Sequence, residues 1–193
     1  MDDVSTSDQT LIDRCLAGQT DAFGDLVTRY DKRLYGTLVH MLGSAHEARD
    51  VAQEAFVLAF QKLKTFRHES AFYSWLFRIA YNTAVSRHRR RPPRTASVEA
   101  LREQTGTEPT DDRPESDPAH QLQRSERQAL VSSALEELAD EYRTVIILRE
   151  MEGLSYEEIA ELVACPVGTV RSRIHRARSE LREILTRALA NER

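Results

Sequence analysis

The segment LSYEEIAELVACPVGTVRSRIHRAR, from Leu154 to Arg178, predicts a helix-turn-helix. Ser155 and Glu158 match the capping box S-x-x-E, in which two side chains satisfy unpaired N–H groups at a helix start. Pro166 follows the first helix, and proline suits the start of a helix but not its interior. Two helices joined by a short turn are therefore expected here.

The second helix of this segment has one apolar side and one polar side. Apolar residues recur at intervals of three and four, as in a buried helical stripe: Val170, Ile174, Ala177, Leu181 and Ile184. Short polar and cationic side chains fall opposite this stripe: Ser172, His175, Arg176 and Ser179. A helix that enters the major groove of DNA needs this layout. An ordinary helical hairpin with a solvated basic face is the alternative.

The composition favours an all-α protein. The 193 residues include only six prolines and seven glycines, and helical periodicity dominates over the alternation typical of strands. No apolar run approaches the ~20 residues that span a bilayer, and the N-terminus lacks the apolar core of a secretory signal. We therefore expect a soluble, cytoplasmic protein.

Charge is segregated along the chain. The net charge is −4, yet residues 78–94 hold six arginines and no acid, and residues 171–182 hold five arginines and one acid. Local cationic patches of this kind set the affinity for phosphates even on an acidic molecule. Two such patches on helices with apolar stripes favour a nucleic-acid partner over two solvated faces.

The sequence shows no pattern typical of a metal or catalytic site. Cys15 and Cys165 stand in no ligand spacing, so we expect small apolar side chains rather than a zinc site. A helical metal hydrolase is a remote hypothesis, because its candidate ligands fall on different elements: His40, His46, His68 and His88. We expect no cofactor, no metal and no small-molecule substrate.

The helical patterns fall into two blocks. An N-terminal tail, residues 1–20, precedes a first helical domain, residues 21–94. Residues 95–121 are rich in Thr, Ser, Pro, Asp and Glu, which predicts a flexible acidic linker. Residues 122–193 form the second domain, which contains the helix-turn-helix. The predicted fold is thus all-α, with two small helical domains joined by this linker.

Four stretches of the chain resemble the extracytoplasmic-function (ECF) group of bacterial sigma-70 factors, close to its RpoE-like branch. They are DAFGDLVTRY from Asp21, ARDVAQEAFVLAFQKLKTFR from Ala48, YSWLFRIAYNTA from Tyr73, and the helix-turn-helix itself. Their order and spacing cover nearly the whole chain outside the tail and the linker. The resemblance implies a transcription initiation factor without enzymatic activity, whose partners are core RNA polymerase and promoter DNA.

The resemblance also assigns surfaces. It implies that Asp50, Gln53 and Glu54 grip the coiled coil of the largest polymerase subunit, although an ordinary solvated helix face remains an alternative. It implies that the loop from Phe66 to Tyr73 captures an unstacked base of the −10 element. The implied −10 residues are Phe66, Arg67, His68, Glu69, Ser70, Tyr73, Arg78 and Asn82.

Aromatic side chains beside cations suit single-stranded DNA, because rings stack on bases and cations hold the backbone. Tyr73, Phe77 and Tyr81 are expected opposite Trp75 and Ile79. We therefore assign Tyr73 to DNA, and Trp75 to the core or to mixed use.

In the second domain, the resemblance implies a −35 readout surface of Arg171, Ser172, Arg173, His175 and Arg176. Of these, Arg173 lies closer to the buried side, where it can serve phosphates or acidic neighbours. Two positions depart from the family pattern. Ala164 stands where glycine is common, and Ser86 stands where an acid is frequent, which leaves Arg87 to Arg91 with less local neutralisation.

The leading hypothesis is an ECF sigma factor that recognises the −35 and −10 elements. The resemblance further implies a stress response and control by an anti-sigma factor, which can hold the protein at the membrane. A stand-alone regulator with a LuxR-like helix-turn-helix is the alternative. The first block shows neither the βα alternation nor the phosphate-loop glycines expected of that alternative's companion domains.

Overall fold

The computed structural model describes residues 6–68, 70–90 and 118–191, with side chains described for 6–68, 70–89 and 126–190. Every regular element in these ranges is a helix, which confirms the all-α prediction. None of the described helices combines the length and apolarity that crossing a membrane requires. The chain divides into two compact units.

The N-terminal unit contains α1 (Asp8–Leu16), α2 (Asp21–Leu42) as far as Val39, α3 (Ala45–Lys62), a 3₁₀ turn (Leu63–Thr65) and α4 (Phe72–Arg90). Helix α3 begins at the predicted Ser44, whose hydroxyl accepts the N–H of Glu47 at 3.3 Å. Helices α3 and α4 pack along one another. Their shared core includes buried side chains from both helices: Val51, Ala55, Ala59, Leu76, Phe77 and Ala80.

Helix α1 lies in the segment predicted as a tail. Leu11 and Ile12 are each 1% exposed, so this short helix belongs to the core. Its N-terminus is tied to α2, because the Tyr30 hydroxyl and the Arg29 guanidinium both donate to the Asp8 carboxylate. Burial, followed by the contact with Asp8, raises the pKa of Tyr30 to about 12. The tail prediction is therefore wrong for residues 8–16.

The C-terminal unit contains α5 (Pro118–Glu137), α6 (Asp140–Glu150), α7 (Tyr156–Leu162) and α8 (Val167–Asn191). Helix α8 contacts each of the other three. Four of its five predicted stripe residues are buried, namely Val170, Ile174, Ala177 and Ile184, and Leu181 is half-buried. Helix α5 begins at Pro118 rather than at Leu122, and the predicted linker up to residue 117 lies outside the described residues.

Candidate nucleic-acid and protein interfaces

The predicted helix-turn-helix is formed by α7 and α8. Ser155 accepts the N–H of Glu158 at 3.1 Å, and the Glu158 carboxylate accepts the N–H of Ser155 at 2.8 Å, so the capping box is complete. The turn between the helices places Ala164 at φ +51°. This left-handed conformation is the one for which glycine is favoured, as the sequence predicted.

Replacing Ala164 with glycine is expected to stabilise the C-terminal unit. A left-handed residue with a Cβ costs roughly 1–2 kcal/mol, and the extra freedom of glycine in the unfolded chain offsets about 0.4–1 kcal/mol of that gain. We expect a net gain of about 0.5–1 kcal/mol in the free energy of unfolding, measured by urea denaturation of the full chain. Ala188→Gly, in the last turn of α8, is the control and should lose up to about 1 kcal/mol. A loss for Ala164→Gly would contradict the strain at this turn.

A row of exposed polar side chains runs along the N-terminal half of α8. It consists of Arg171, Ser172, His175 and Arg176. The Ser172 hydroxyl donates to the Thr169 carbonyl at 2.9 Å. The Arg176 guanidinium donates to the Tyr142 hydroxyl at 3.3 Å, and this contact raises the pKa of Arg176. A recess of about 260 Å³ between Tyr156 and this row adds space for an anionic group beside the cations.

Two other arginines of α8 form ion pairs with acidic side chains of α6. Arg173 pairs with Glu141 of α6, and Arg178 pairs with Glu150 at 2.6 Å. The structure thus favours acidic neighbours, one of the two uses foreseen for Arg173. The predicted −35 readout residues that remain together on the exposed side are the four of the row.

Helix α4 buries a different side from the one that the sequence predicted. Tyr73 is 6% exposed and Phe77 is 1% exposed, whereas Trp75 is partly exposed. The buried side of α4 runs through Phe72, Tyr73, Leu76, Phe77, Ala80, Thr83 and Ala84. The expectation that Tyr73 and Phe77 face away from the core is therefore wrong. The buried side of α4 is centred nearer to these two residues than to Trp75 and Ile79.

The outer side of α4 carries Trp75, Arg78 and Asn82, spaced by three and four residues. Arg78 and Asn82 are exposed, as predicted. On the buried side of α4, the Tyr73 ring lies 3.9 Å from the Arg33 guanidinium of α2 and packs against the Tyr30 ring, with 5.4 Å between the ring centroids. Trp75, rather than Tyr73, is thus the aromatic side chain beside these polar groups.

The loop between the 3₁₀ turn and α4 is anchored by Phe66. This side chain is 9% exposed and contacts three rings, with centroid distances of 4.5 Å to His68, 5.8 Å to Phe72 and 5.2 Å to Trp75. Arg67, His68 and Ser70 are exposed around it, and His68 has a left-handed φ of +58°. Phe66 therefore supports the loop from below. Glu69 lies outside the described residues.

The remaining predicted site lies on α3. Asp50 and Glu54 are partly exposed, and Gln53 is exposed between them. Arg87 of α4 binds both carboxylates, at 2.7 Å from Glu54 Oε2 and 3.3 Å from Asp50 Oδ2. The sequence analysis did not predict this pairing. Burial opposes the charge of Arg87, but the contacts with Glu54 and Asp50 outweigh burial and raise the pKa of the guanidinium.

Ser86 supplies no acid beside Arg87, yet two acids from the neighbouring helix α3 neutralise this arginine. Only the three-dimensional packing of α3 against α4 reveals this pairing. In the parts of the chain that the structure describes, no group of three or more His, Cys, Asp or Glu side chains is placed to hold a metal ion.

Two family models match the chain. The model described as Sigma-70 region 2 matches residues 26–92, and the model described as Sigma-70, region 4 matches residues 128–181. The first match contains the α3 and α4 sites, and the second contains the helix-turn-helix.

Curated relatives resemble the chain over most of its length. The RNA polymerase sigma-H factor of Pseudomonas aeruginosa is 43% identical over 182 residues, which cover 92% of this chain and 93% of the relative. The ECF RNA polymerase sigma-E factor of Escherichia coli K12 is 41% identical over 178 residues, which cover 91% of this chain and 92% of the relative.

Two solved structures share the fold. CnrH in complex with the cytosolic domain of CnrY matches with a TM-score of 0.60 and 28% identity, over 93% of this chain and 97% of CnrH. The sigma factor RpoE of Bartonella quintana, in complex with the anti-sigma factor NepR, matches with a TM-score of 0.62 and 27% identity, over 85% of this chain and 96% of RpoE.

Proposed function

This chain belongs to the sigma-70 family of RNA polymerase sigma factors, in its ECF group. From this premise we propose which part of the promoter each helical unit recognises. Members of this family are transcription initiation factors, and this chain binds core RNA polymerase and directs promoter-specific initiation. We expect that it carries out no covalent chemistry of its own.

The C-terminal domain, residues 122–193, reads the −35 element. The observation that carries this assignment is the row on α8, where cationic and short polar groups are exposed opposite the buried residues Val170, Ile174 and Ala177. Arg171 and Arg176 can each contact guanine O6 and N7 through two donors, and Ser172 can contact a base or a phosphate. His175 stands within the same row. Arg173, held by Glu141, supports the position of α8 against α6.

The N-terminal domain, residues 21–94, recognises and holds the −10 strand. Trp75, Arg78 and Asn82 offer a ring, a cation and an amide on one side of α4, which suits a base and its backbone. Arg67, His68 and Ser70 surround the neighbouring loop, and Phe66 supports it. We assign Tyr73 to the support of α4 rather than to base stacking, since its ring is covered by Arg33.

Core polymerase binds the α3 face through Asp50, Gln53 and Glu54. The carboxylates provide acceptors for arginine or lysine side chains of the partner, and two exposed apolar side chains follow on the same helix, Val57 at 56% and Phe60 at 42% exposure. A polar patch next to an apolar one is typical of a protein–protein interface.

The structural relatives indicate a further partner. CnrH and the B. quintana RpoE were solved with the cytosolic domain of CnrY and with the anti-sigma factor NepR, respectively. We propose that an anti-sigma factor likewise controls this chain, in the cytoplasm or at the membrane, and that this chain directs transcription in response to stress. The comparisons favour this function over a LuxR-like regulator.

Run-off transcription with the purified chain and core polymerase tests the proposal. We expect transcripts that start at specific promoters, together with co-elution of the chain and core polymerase in size-exclusion chromatography. Core polymerase alone is the control. Failure to co-elute and to direct initiation would contradict the proposal, and tight sequence-specific binding of the free chain to duplex DNA would favour the LuxR-like alternative.

A further inference from the structure

The two acidic side chains assigned to polymerase binding share one basic partner. Asp50 and Glu54 are one helical turn apart on α3, and like charges at this spacing repel each other. Arg87 of α4 lies between them and contacts both. The pairing spans 33 and 37 residues of sequence, so it depends on the packing of α3 against α4.

The geometry of the contact is asymmetric. Arg87 donates from Nε to Glu54 Oε2 at 2.8 Å, and its Nη2 lies 2.7 Å from the same oxygen, whereas only Nη1 donates to Asp50 Oδ2, at 3.3 Å. A planar guanidinium spreads its donors over three nitrogens in a fixed fork and can reach both carboxylates at once, whereas the three donors of an ammonium group all radiate from one nitrogen. Arg87 thus sets the direction of the Glu54 carboxylate firmly and that of Asp50 more loosely.

The contact leaves part of each carboxylate open. Arg87 engages Oε2 of Glu54 and Oδ2 of Asp50, and neither Oε1 nor Oδ1 takes part in its contacts. The side chains of Asp50 and Glu54 remain 43% and 44% exposed. A partner can therefore approach the second oxygen of each carboxylate while Arg87 stays in place.

We propose that Arg87 is a positioning residue for polymerase binding, which holds Asp50 and Glu54 in the orientation that the polymerase meets. This inference rests on the proposed role of the α3 face. Fixing side chains in their bound conformation lowers the entropy cost of association, and Arg87 also relieves the repulsion between the two acids. Arg87 thus acts through the carboxylates and makes no contact of its own that the binding requires.

The test is the affinity of the full chain for core polymerase in the absence of DNA, measured by fluorescence anisotropy with a labelled chain. Arg87→Ala is expected to raise the Kd about 10-fold, and Arg87→Lys should restore part of the loss. Arg89→Ala is the matched control, because it removes the same charge from an exposed position two residues away. It should change the Kd less than about twofold.

A double-mutant cycle separates positioning from general damage to the fold. In an Asp50→Asn/Glu54→Gln background, Arg87→Ala should cause no further loss of affinity, because the groups that it positions have lost their charge. An equal loss in both backgrounds would overturn the proposal. An unchanged or lower Kd for Arg87→Ala alone would also overturn it, since Arg87 would then be neutral or would compete with the polymerase.

The cycle also identifies which hypothesis has failed. If the Asp50→Asn/Glu54→Gln chain binds core polymerase as tightly as the unchanged chain, the assignment of the α3 face is wrong, and the Arg87 proposal falls with it. If that chain binds weakly but Arg87→Ala has no effect on the unchanged chain, only the positioning role is wrong.

Discussion

Arg176→Ala is expected to lower transcription from a cognate promoter by about 10- to 100-fold, because a bidentate contact between arginine and guanine contributes ~1–3 kcal/mol of discrimination. Arg176 is exposed in the row on α8, and its guanidinium is oriented by the Tyr142 hydroxyl at 3.3 Å. The loss should fall on sequence preference as well as on rate. One position of the −35 element should become degenerate.

The measurement is a selection of active −35 sequences from a randomised promoter library, transcribed with the unchanged chain and with the Arg176→Ala chain. Arg187→Ala is the control, since this arginine lies on the same helix, 67% exposed, with only a distant partner in Glu137 at 3.9 Å. It should leave the selected sequences unchanged. A uniform loss of activity on every −35 sequence would instead identify Arg176 as a phosphate contact.

The local features of the helix-turn-helix could be predicted from sequence because their causes are local. A capping box joins residues three apart, and the apolar stripe of α8 repeats within one helix. The left-handed turn at Ala164 was indicated by the family resemblance, since glycine is common at this position in the family. None of these depends on the packing of distant segments.

The features that were missed depend on tertiary packing. On α4, aromatic and aliphatic residues stand on several sides of the helix, so periodicity alone did not decide between Tyr73 and Trp75; the rings of Tyr30 and Phe66, from other segments, decide it. Helix α1 is only 9 residues long and is stabilised by Leu11 and Ile12 in a core that other helices provide. The pairing of Arg87 with α3 likewise has no local signature.

Arg143→Met is expected to destabilise the C-terminal unit more than any surface change discussed above. The guanidinium donates to three carbonyl groups at the end of α5 and beyond: Leu135 at 2.8 Å, Glu136 at 2.9 Å and Leu138 at 3.0 Å. The last carbonyls of a helix lack partners within the helix, so Arg143 acts as their cap. Its side chain is only 13% exposed.

Methionine keeps most of the apolar stem of Arg143 but removes every donor. A hydrogen bond from a charged group contributes ~1.5–3 kcal/mol. The Glu136 carbonyl is exposed to water and the Leu135 carbonyl keeps the N–H of Leu138 at 3.2 Å, so the three contacts do not add in full and we expect a loss of about 3 kcal/mol. In a unit of this size, each kcal/mol corresponds to roughly 4–8 °C in the unfolding midpoint. The unit should therefore unfold more than about 10 °C earlier.

Hydrogen exchange of the full chain, resolved by peptide, can assign the loss to the correct unit. Amides of α6 and α8 should exchange faster in the Arg143→Met chain, whereas those of α3 and α4 should be unchanged. Arg187→Met removes an exposed arginine from α8 and should leave both sets as they are. Equal exchange in the two variants would mean that water replaces the guanidinium at these carbonyls without loss of stability.

Because the −35 row depends on the packing of α8 against α6, the predicted instability should also abolish −35-dependent transcription at temperatures where core binding through α3 persists.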